Sequence, residues 1–207
     1  MSEDLVFGAI RRFTPTVVNA TDPWMTLHGP GVVEYLILDP SSDNLNGTFS
    51  WTNEIMIGRA NAARNYPEAR GLDVNGSTLS FVIQGLRQLF QLDLDAGTYT
   101  RTSTRKGLLE GEPNEIRYVT GNNGETLLYM TEADGQRSGV HARTESGLLY
   151  TLLEGSYQTL TSGLALSPSG HHLYVSFKRD GLVFDITRDD GQSFLDPPVA
   201  YEETLSL

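Results

Sequence analysis

The stretch Leu160-Thr-Ser-Gly-Leu-Ala-Leu-Ser-Pro-Ser-Gly-His-His-Leu-Tyr-Val-Ser-Phe-Lys-Arg-Asp-Gly-Leu-Val-Phe-Asp-Ile186 decides the fold. Leu164 and Leu166 alternate with small residues before a Ser-Pro-Ser-Gly turn. Leu173, Val175 and Phe177 form a second alternating run, and Lys-Arg-Asp-Gly turns the chain again. Leu182, Phe184 and Ile186 make a third. Period-2 alternation between turn residues is the pattern of short antiparallel strands. Three such strands in 27 residues read as one blade of a β-propeller.

The pattern recurs upstream. Leu72–Val74, the turn Asn75-Gly-Ser77, Leu79–Ile83 and Leu89–Leu94 form one copy; Ile116–Val119, Gly121-Asn-Asn-Gly124, Leu127–Met130 and Gly139–Ala142 form another. Leu72, Ile116 and Leu164 are equivalent, 44 and 48 residues apart. A period of roughly 40 to 50 residues with several strands per unit points to propeller blades. A fourth strand follows in two copies, Gly97–Ser103 and Leu148–Leu153. The expected class is therefore all-β, with four-stranded antiparallel blades over residues 68–105, 112–154 and 160–195.

Composition agrees. The chain has 207 residues, of which 39% are hydrophobic, with 21 glycines and 9 prolines. That suits one turn-rich globular domain with a core. No apolar run approaches the ~20 residues of a membrane-spanning helix, and the start lacks a basic and apolar secretory leader. A formal charge of −11 disfavours nucleic acid as a partner. The absence of cysteine excludes disulfides, thiol nucleophiles and thiolate metal sites.

The remaining segments read less clearly. Residues 1–30 are broken by Pro15, Pro23 and Pro30, with Val6, Phe7 and Ile10 marking a strand start. Val32–Leu38 and Thr48–Trp51 read as a hairpin matching the last two strands of a blade. Asn53 is expected to cap a short helix running to Tyr66 and stopped by Pro67, with Ile55, Ala60, Ala63 and Tyr66 on its apolar face. Residues 187–207 read as a turn and an extended tail, the tail proper beginning at 195. The whole chain, 1–207, is then a single partial propeller of about three and a half to four blades. Closed propellers have four to eight, so a fragment completed by a partner or a further segment is expected.

Several phrases resemble PhoX-type propeller proteins, many of which are alkaline phosphatases. They are Ser50-Trp-Thr-Asn, Asn61-Ala-Ala, Tyr66-Pro-Glu-Ala-Arg-Gly-Leu-Asp73, Gly111-Glu-Pro-Asn-Glu-Ile116, Leu128-Tyr-Met-Thr-Glu132, Gly139-Val-His-Ala142 and Ser162-Gly-Leu-Ala-Leu-Ser-Pro-Ser-Gly170. The resemblance covers roughly residues 48–194 and implies a six-bladed propeller with calcium-rich chemistry in its channel and phosphate-ester hydrolysis. Its relatives are often exported. Two departures stand out. PhoX enzymes hold iron with a cysteine, so iron is not expected here, and Arg70 occupies a place better suited to a cation-friendly residue.

Propellers bind ligands where inner strands begin, because loops of successive blades converge there. Glu68 and Arg70 precede the first such strand, Glu112 and Asn114 the second, Thr161 and Ser162 the third. Calcium takes six to eight hard oxygens, so Glu112, Asn114 and Glu132, with Glu68 behind them, are the candidate metal ligands. Each is also an ordinary turn residue. Arg70 is the candidate anion holder, or a neutraliser of Glu68 and Glu112.

His171 and His172 sit in a hairpin turn, His28 in a loop, and His141 in a strand where a core role is expected. Asn19-Ala-Thr, Asn46-Gly-Thr and Asn75-Gly-Ser match the glycosylation sequon at a frequency near chance. Nucleophile elbows, P-loops, dinucleotide fingerprints and zincin motifs are absent. Three functions remain: a calcium-dependent phosphoesterase of the PhoX kind, a calcium-dependent lactonase-like propeller, and a non-catalytic scaffold. The expected core is Leu72, Val74, Phe81, Ile83, Ile116, Tyr118, Leu128, Leu164, Leu166, Tyr174, Val175 and Phe184.

Overall fold

The computed structural model describes residues 8–105, 111–133, 138–155 and 160–196. Among the described residues the chain is all-β apart from two helices. In order it forms β1 (Arg11–Pro15), α1 (Pro23–His28), β2 (Gly31–Pro40), β3 (Asn46–Thr52), α2 (Ile55–Asn65), β4 (Ala69–Asn75) and β5 (Thr78–Ile83). There follow β6 (Gln88–Asp93), β7 (Thr98–Ser103), β8 (Glu112–Thr120), β9 (Thr126–Ala133), β10 (Gly139–Arg143) and β11 (Leu149–Glu154). The last three strands are β12 (Thr161–Leu166), β13 (Leu173–Phe177) and β14 (Leu182–Ile186). No helix among the described residues is long and apolar enough to cross a membrane.

Three antiparallel meanders carry the sequence repeat: β4-β5-β6-β7, β8-β9-β10-β11 and β12-β13-β14. The third has three strands among the described residues, one fewer than expected. In every unit the first strand bulges at the same place. The register shifts between Ala69 and Leu72 in β4, between Pro113 and Ile116 in β8, and between Ser162 and Leu164 in β12. Leu72, Ile116 and Leu164 are thus the first residues after three equivalent bulges and pair with Phe81, Met130 and Val175. A bulge bends its strand and re-aims side chains, and the bend lets the first strands lie against each other: β4 on β8, and β8 on β12. At the first of these contacts Gly71 is required, because a Cβ there would stand 2.5 Å from the Ile116 nitrogen.

The Val32–Trp51 hairpin does not form a separate half-unit. β3 pairs with β7 through Asn46–Thr48 and Thr98–Thr100, so β1, β2 and β3 extend the first meander into one seven-stranded sheet. That sheet curls around a core of Leu36, Leu38, Tyr66, Phe81, Phe90 and Tyr99. Helix α2 closes the curl by completing unpaired backbone. β1 runs only as far as Arg11 opposite Tyr35, which leaves Leu36–Leu38 of β2 without a strand on that side. The Leu36 amide donates to the Ile10 carbonyl at 2.9 Å. The Asn61 amide spans Leu38, accepting from its N–H at 3.0 Å and donating to its carbonyl at 2.9 Å. Asn65 donates to the same carbonyl at 3.0 Å, and the Tyr66 hydroxyl to the Leu36 carbonyl at 2.7 Å. Buried backbone groups need such partners.

The helix face differs from the one expected. Gly58, Ala62 and Tyr66 are buried, whereas Ile55 and Ala60 are exposed and Ala63 is half-buried. The spacing of four along the buried set is a helical stripe. Nor does Asn53 cap it. The N-cap is Glu54, and no side chain bonds the first turn. The short helix α1, unanticipated, is capped by Asp22.

Between the first and second meanders lie Val82, Leu89, Ile116, Leu128 and Met130. Between the second and third lie Val119, Tyr129, Val140, Ala142, Leu173, Val175 and Phe177. Of the expected core, Phe81, Ile83, Ile116, Leu128 and Val175 are buried, and Leu72, Tyr118, Leu164 and Leu166 pack at its margins. Val74, Tyr174 and Phe184 are exposed. Tyr174 and Val175 are neighbours on one strand and must face opposite ways; Val175 takes the buried side. Phe184 belongs to β14, the edge of the last sheet. Residues 193–196 fold back rather than trail: Phe194 and Leu195 join the second inter-sheet core, and Asp196 accepts from the Asn122 amide at 2.8 Å. Expectations for residues 1–7 and 197–207 fall outside the described residues.

Candidate functional site

The starts of β4, β8 and β12 form a contiguous polar row. Glu68 is exposed just before β4 with φ of 56°, a left-handed conformation that costs a non-glycine residue on the order of 1–2 kcal/mol. Arg70, in the first bulge, donates from Nε to Gln84 Oε1 at 3.0 Å. Glu112 opens β8 opposite Ala133 and is half-buried. Asn114, in the second bulge, donates from Nδ2 to the Thr161 carbonyl at 3.1 Å and ties β8 to β12.

Glu132 stands apart from the row because it is fully buried, at 0% exposure. Its Oε1 accepts the Gly111 N–H, and its Oε2 faces His141 Nε2 at 3.1 Å. Its backbone is locked to Thr161: the Glu132 N–H donates to Thr161 Oγ1 at 2.9 Å, and that hydroxyl also lies against the carbonyls of Glu132 and Gly139. Strands β8, β9, β10 and β12 all meet here. The repeat register makes the chemistry unusual. Because Met130 is equivalent to Phe81 and Val175, Glu132 falls in line with Ile83 and Phe177. His141, opposite Met130, falls in line with Phe90 and Phe184. One carboxylate–imidazole pair thus replaces an apolar pair. In the third unit that pair is an edge-to-face contact of Phe177 and Phe184 at 5.0 Å.

Thr151 Oγ1 lies 3.2 Å from His141 Nδ1, so Thr151, His141 and Glu132 have the connectivity of hydroxyl, base and orienting acid. His141 is only 1% exposed, and it lines neither of the two clefts in the groove between the first and second meanders. The arrangement binds strands together, with the imidazole and carboxylate closed off and Thr151 at the surface.

Among the described residues, no three His, Asp or Glu side chains gather in metal-holding geometry. The four candidate ligands are divided accordingly: Glu112 and Asn114 share the start of β8, Glu68 lies in the preceding unit, and both oxygens of Glu132 have protein partners. The other histidines are superficial. His172 contacts Asp185 at 2.8 Å with both side chains substantially exposed, His171 is exposed, and His28 stacks on Trp24 at 3.6 Å.

The two clefts both lie in the groove between the first and second meanders. One, about 230 Å³, is lined by Asn75, Gln91, Tyr118, Thr126, Arg143 and Glu145, among others. The other, about 200 Å³, is bounded by Leu89, Thr104, Met130, Arg143 and Leu149 with their neighbours. Sequence reasoning passed over this groove because its residues come from separate strands of two repeats and form no local motif.

No protein-family model matches the chain, and no curated protein does. Among solved structures it is similar to the extracellular domain of a candidate one component system from B. thetaiotaomicron, at 15% identity and a TM-score of 0.41. The likeness covers 57% of this chain, which spans 16% of the length of that one.

Proposed function

We propose that the chain is a run of β-propeller blades of the PhoX type, contributing part of a calcium-dependent phosphoesterase channel. The reading rests chiefly on one observation: three meanders bulge at the same position, and their bulged first strands pack side by side. In a propeller those would be the inner strands, and bulges there would aim Arg70 and Asn114 at the mouth of the channel. Calcium would take oxygens from Glu112 and Asn114, with Glu68 or backbone carbonyls and waters completing its shell, while Arg70 would hold the anionic substrate. Metal ions at such a site polarise the phosphoryl group and neutralise its charge.

Three meanders are fewer than a closed propeller contains. The face that a further blade would cover carries Tyr174 and Val183, the repeat counterparts of Tyr129 and Val140. Tyr129 and Val140 are buried between the second and third units, whereas Tyr174 and Val183 are 38% and 72% exposed. A unit of the same repeat, from a partner or a further segment, fits that face. Alone, the chain would turn over phosphoesters negligibly.

A non-catalytic scaffold is the second reading. It is favoured by the way Glu132, Asn114 and Arg70 spend their polar groups on Gly111, His141, Thr161 and Gln84. Assays on p-nitrophenyl phosphate and on a small lactone, each with and without calcium, separate these readings. Calcium-stimulated phosphatase activity supports the first; activity on the lactone alone contradicts it; activity on neither in a completed propeller leaves the scaffold.

A further inference from the structure

Arg143, the last residue of β10, walls both clefts of the groove between the first two meanders. It is half-buried. Among the described residues its hydrogen bonding is limited to Nη1 on Thr102 Oγ1, at a long 3.3 Å, and it makes no ion pair. Glu145 borders the first cleft and would repel an anion there. The second cleft has no acidic residue in its lining.

The second cleft also holds an unsatisfied donor. Thr104 is 5% exposed, and its Oγ1 is sealed from solvent without a hydrogen-bond partner. Its backbone is fixed, with the N–H donating to the Arg87 carbonyl at 2.8 Å, so the hydroxyl is held in the lining. Buried polar groups are nearly always paired, and a lone one beside a guanidinium in a cleft is the kind of vacancy a ligand oxygen fills. Leu89, Met130 and Leu149 form the apolar part of a lining that is otherwise polar, with Ser103 and Gly147 completing it. At about 200 Å³ the space is smaller than an ordinary drug-sized pocket and suits a single ring.

We infer that this cleft binds a small organic oxyanion, its phosphate or carboxylate head on Arg143 and the Thr104 hydroxyl and its apolar body against Leu89, Met130 and Leu149. The guanidinium fork matches both head groups. This site is separate from the polar row at the strand starts and does not depend on it.

Calorimetric titration of the full chain with phenyl phosphate, benzoate and inorganic phosphate tests it. The aromatic anions should bind several-fold more tightly than inorganic phosphate, and their relative affinities tell which head the cleft prefers. Arg143→Gln should weaken the aromatic anions about tenfold or more, Arg143→Lys less, and Thr104→Val several-fold. Thr104→Val removes a hydroxyl that has no partner, so its melting temperature should not fall, and melts of each variant establish that it is folded. Glu112→Gln should leave this binding unchanged. Failure of all three anions to bind at millimolar concentration overturns the inference. So does equal binding of all three that Thr104→Val does not move, which is an adventitious ion only. Binding lost in Glu112→Gln but kept in Arg143→Gln would place the ligand at the strand starts and overturn it as well.

Discussion

Glu132 and His141 meet at 3.1 Å, Oε2 to Nε2, in a position that the adjacent repeats fill with Ile83 and Phe90 or Phe177 and Phe184. Removing one partner of such a buried pair leaves an uncompensated polar group. Glu132→Ala, which also strips the Gly111 N–H of its acceptor, should cost about 3–5 kcal/mol. Replacing both residues with those of the first repeat, Glu132→Ile with His141→Phe, should be neutral or stabilising by about 1–4 kcal/mol. Urea melts of the two variants check this. A double variant as unstable as the single one would show that the pair is held by something other than its own complementarity.

Val140 and Val183 occupy the same repeat position, one at 0% and the other at 72% exposure. Val140→Asp should cost on the order of 4 kcal/mol or more, as unpaired buried charges do, while Val183→Asp should stay within about 0.5 kcal/mol. Comparable losses in thermal melts would mean that the third sheet is covered in solution.

Asn61 acts as a substitute strand partner for Leu38. Asn61→Ala orphans the Leu38 N–H and leaves its carbonyl to Asn65 alone, and should destabilise by about 1–3 kcal/mol. Hydrogen exchange should show the Leu38 amide losing protection first. An unchanged exchange rate there would contradict the role given to α2.

Asp43, Asp190 and Asp196 are all held below the ordinary aspartate value of 3.8. The leading causes are the Ser41 hydroxyl for Asp43, the Arg188 guanidinium for Asp190 and the Asn122 amide for Asp196. A carboxyl whose folded pKa is depressed contributes stability above its unfolded value and loses it as pH falls through the folded pKa. Arg188, which pairs with Asp190 and donates to the Ser193 and Asp196 carbonyls, clasps residues 188–196, and this clasp should be intact above about pH 4 and loosen below it. Stability measured against pH in Asp190→Asn and Asp196→Asn should show a shallower acid-side decline than the parent chain. Superimposable profiles would rule the clasp out as an acid-sensitive element.

The three meanders were legible because each is local: alternation, a turn, alternation, repeated at a constant spacing. Leu72, Ile116 and Leu164 aligned in sequence and proved to follow equivalent bulges. The seven-stranded sheet was not legible, since the pairing of Asn46–Thr48 with Thr98–Thr100 is a long-range choice that neither strand announces. Val74, Tyr174 and Phe184 look apolar enough for a core, but only Tyr174 lies on the face another sheet would cover; Phe184 shares Val175's face on the edge strand β14, and Val74 shares Leu72's face near the end of β4. Glu132 and His141 were each noticed separately. Their partnership was readable only by setting the repeats in register, where both break an apolar column.

Calcium titration of the full chain by calorimetry tests the central claim most directly. Three side chains at most come from the row at the strand starts, so binding should be weak, with a Kd in the range of about 10⁻⁴–10⁻³ M. The positive charge of Arg70 weakens binding further. Glu112→Gln should abolish the heat, and calcium should raise the melting temperature only near its Kd or above. Submicromolar binding that survives Glu112→Gln would put the metal elsewhere, and the absence of any binding at millimolar calcium would contradict a calcium-dependent channel altogether.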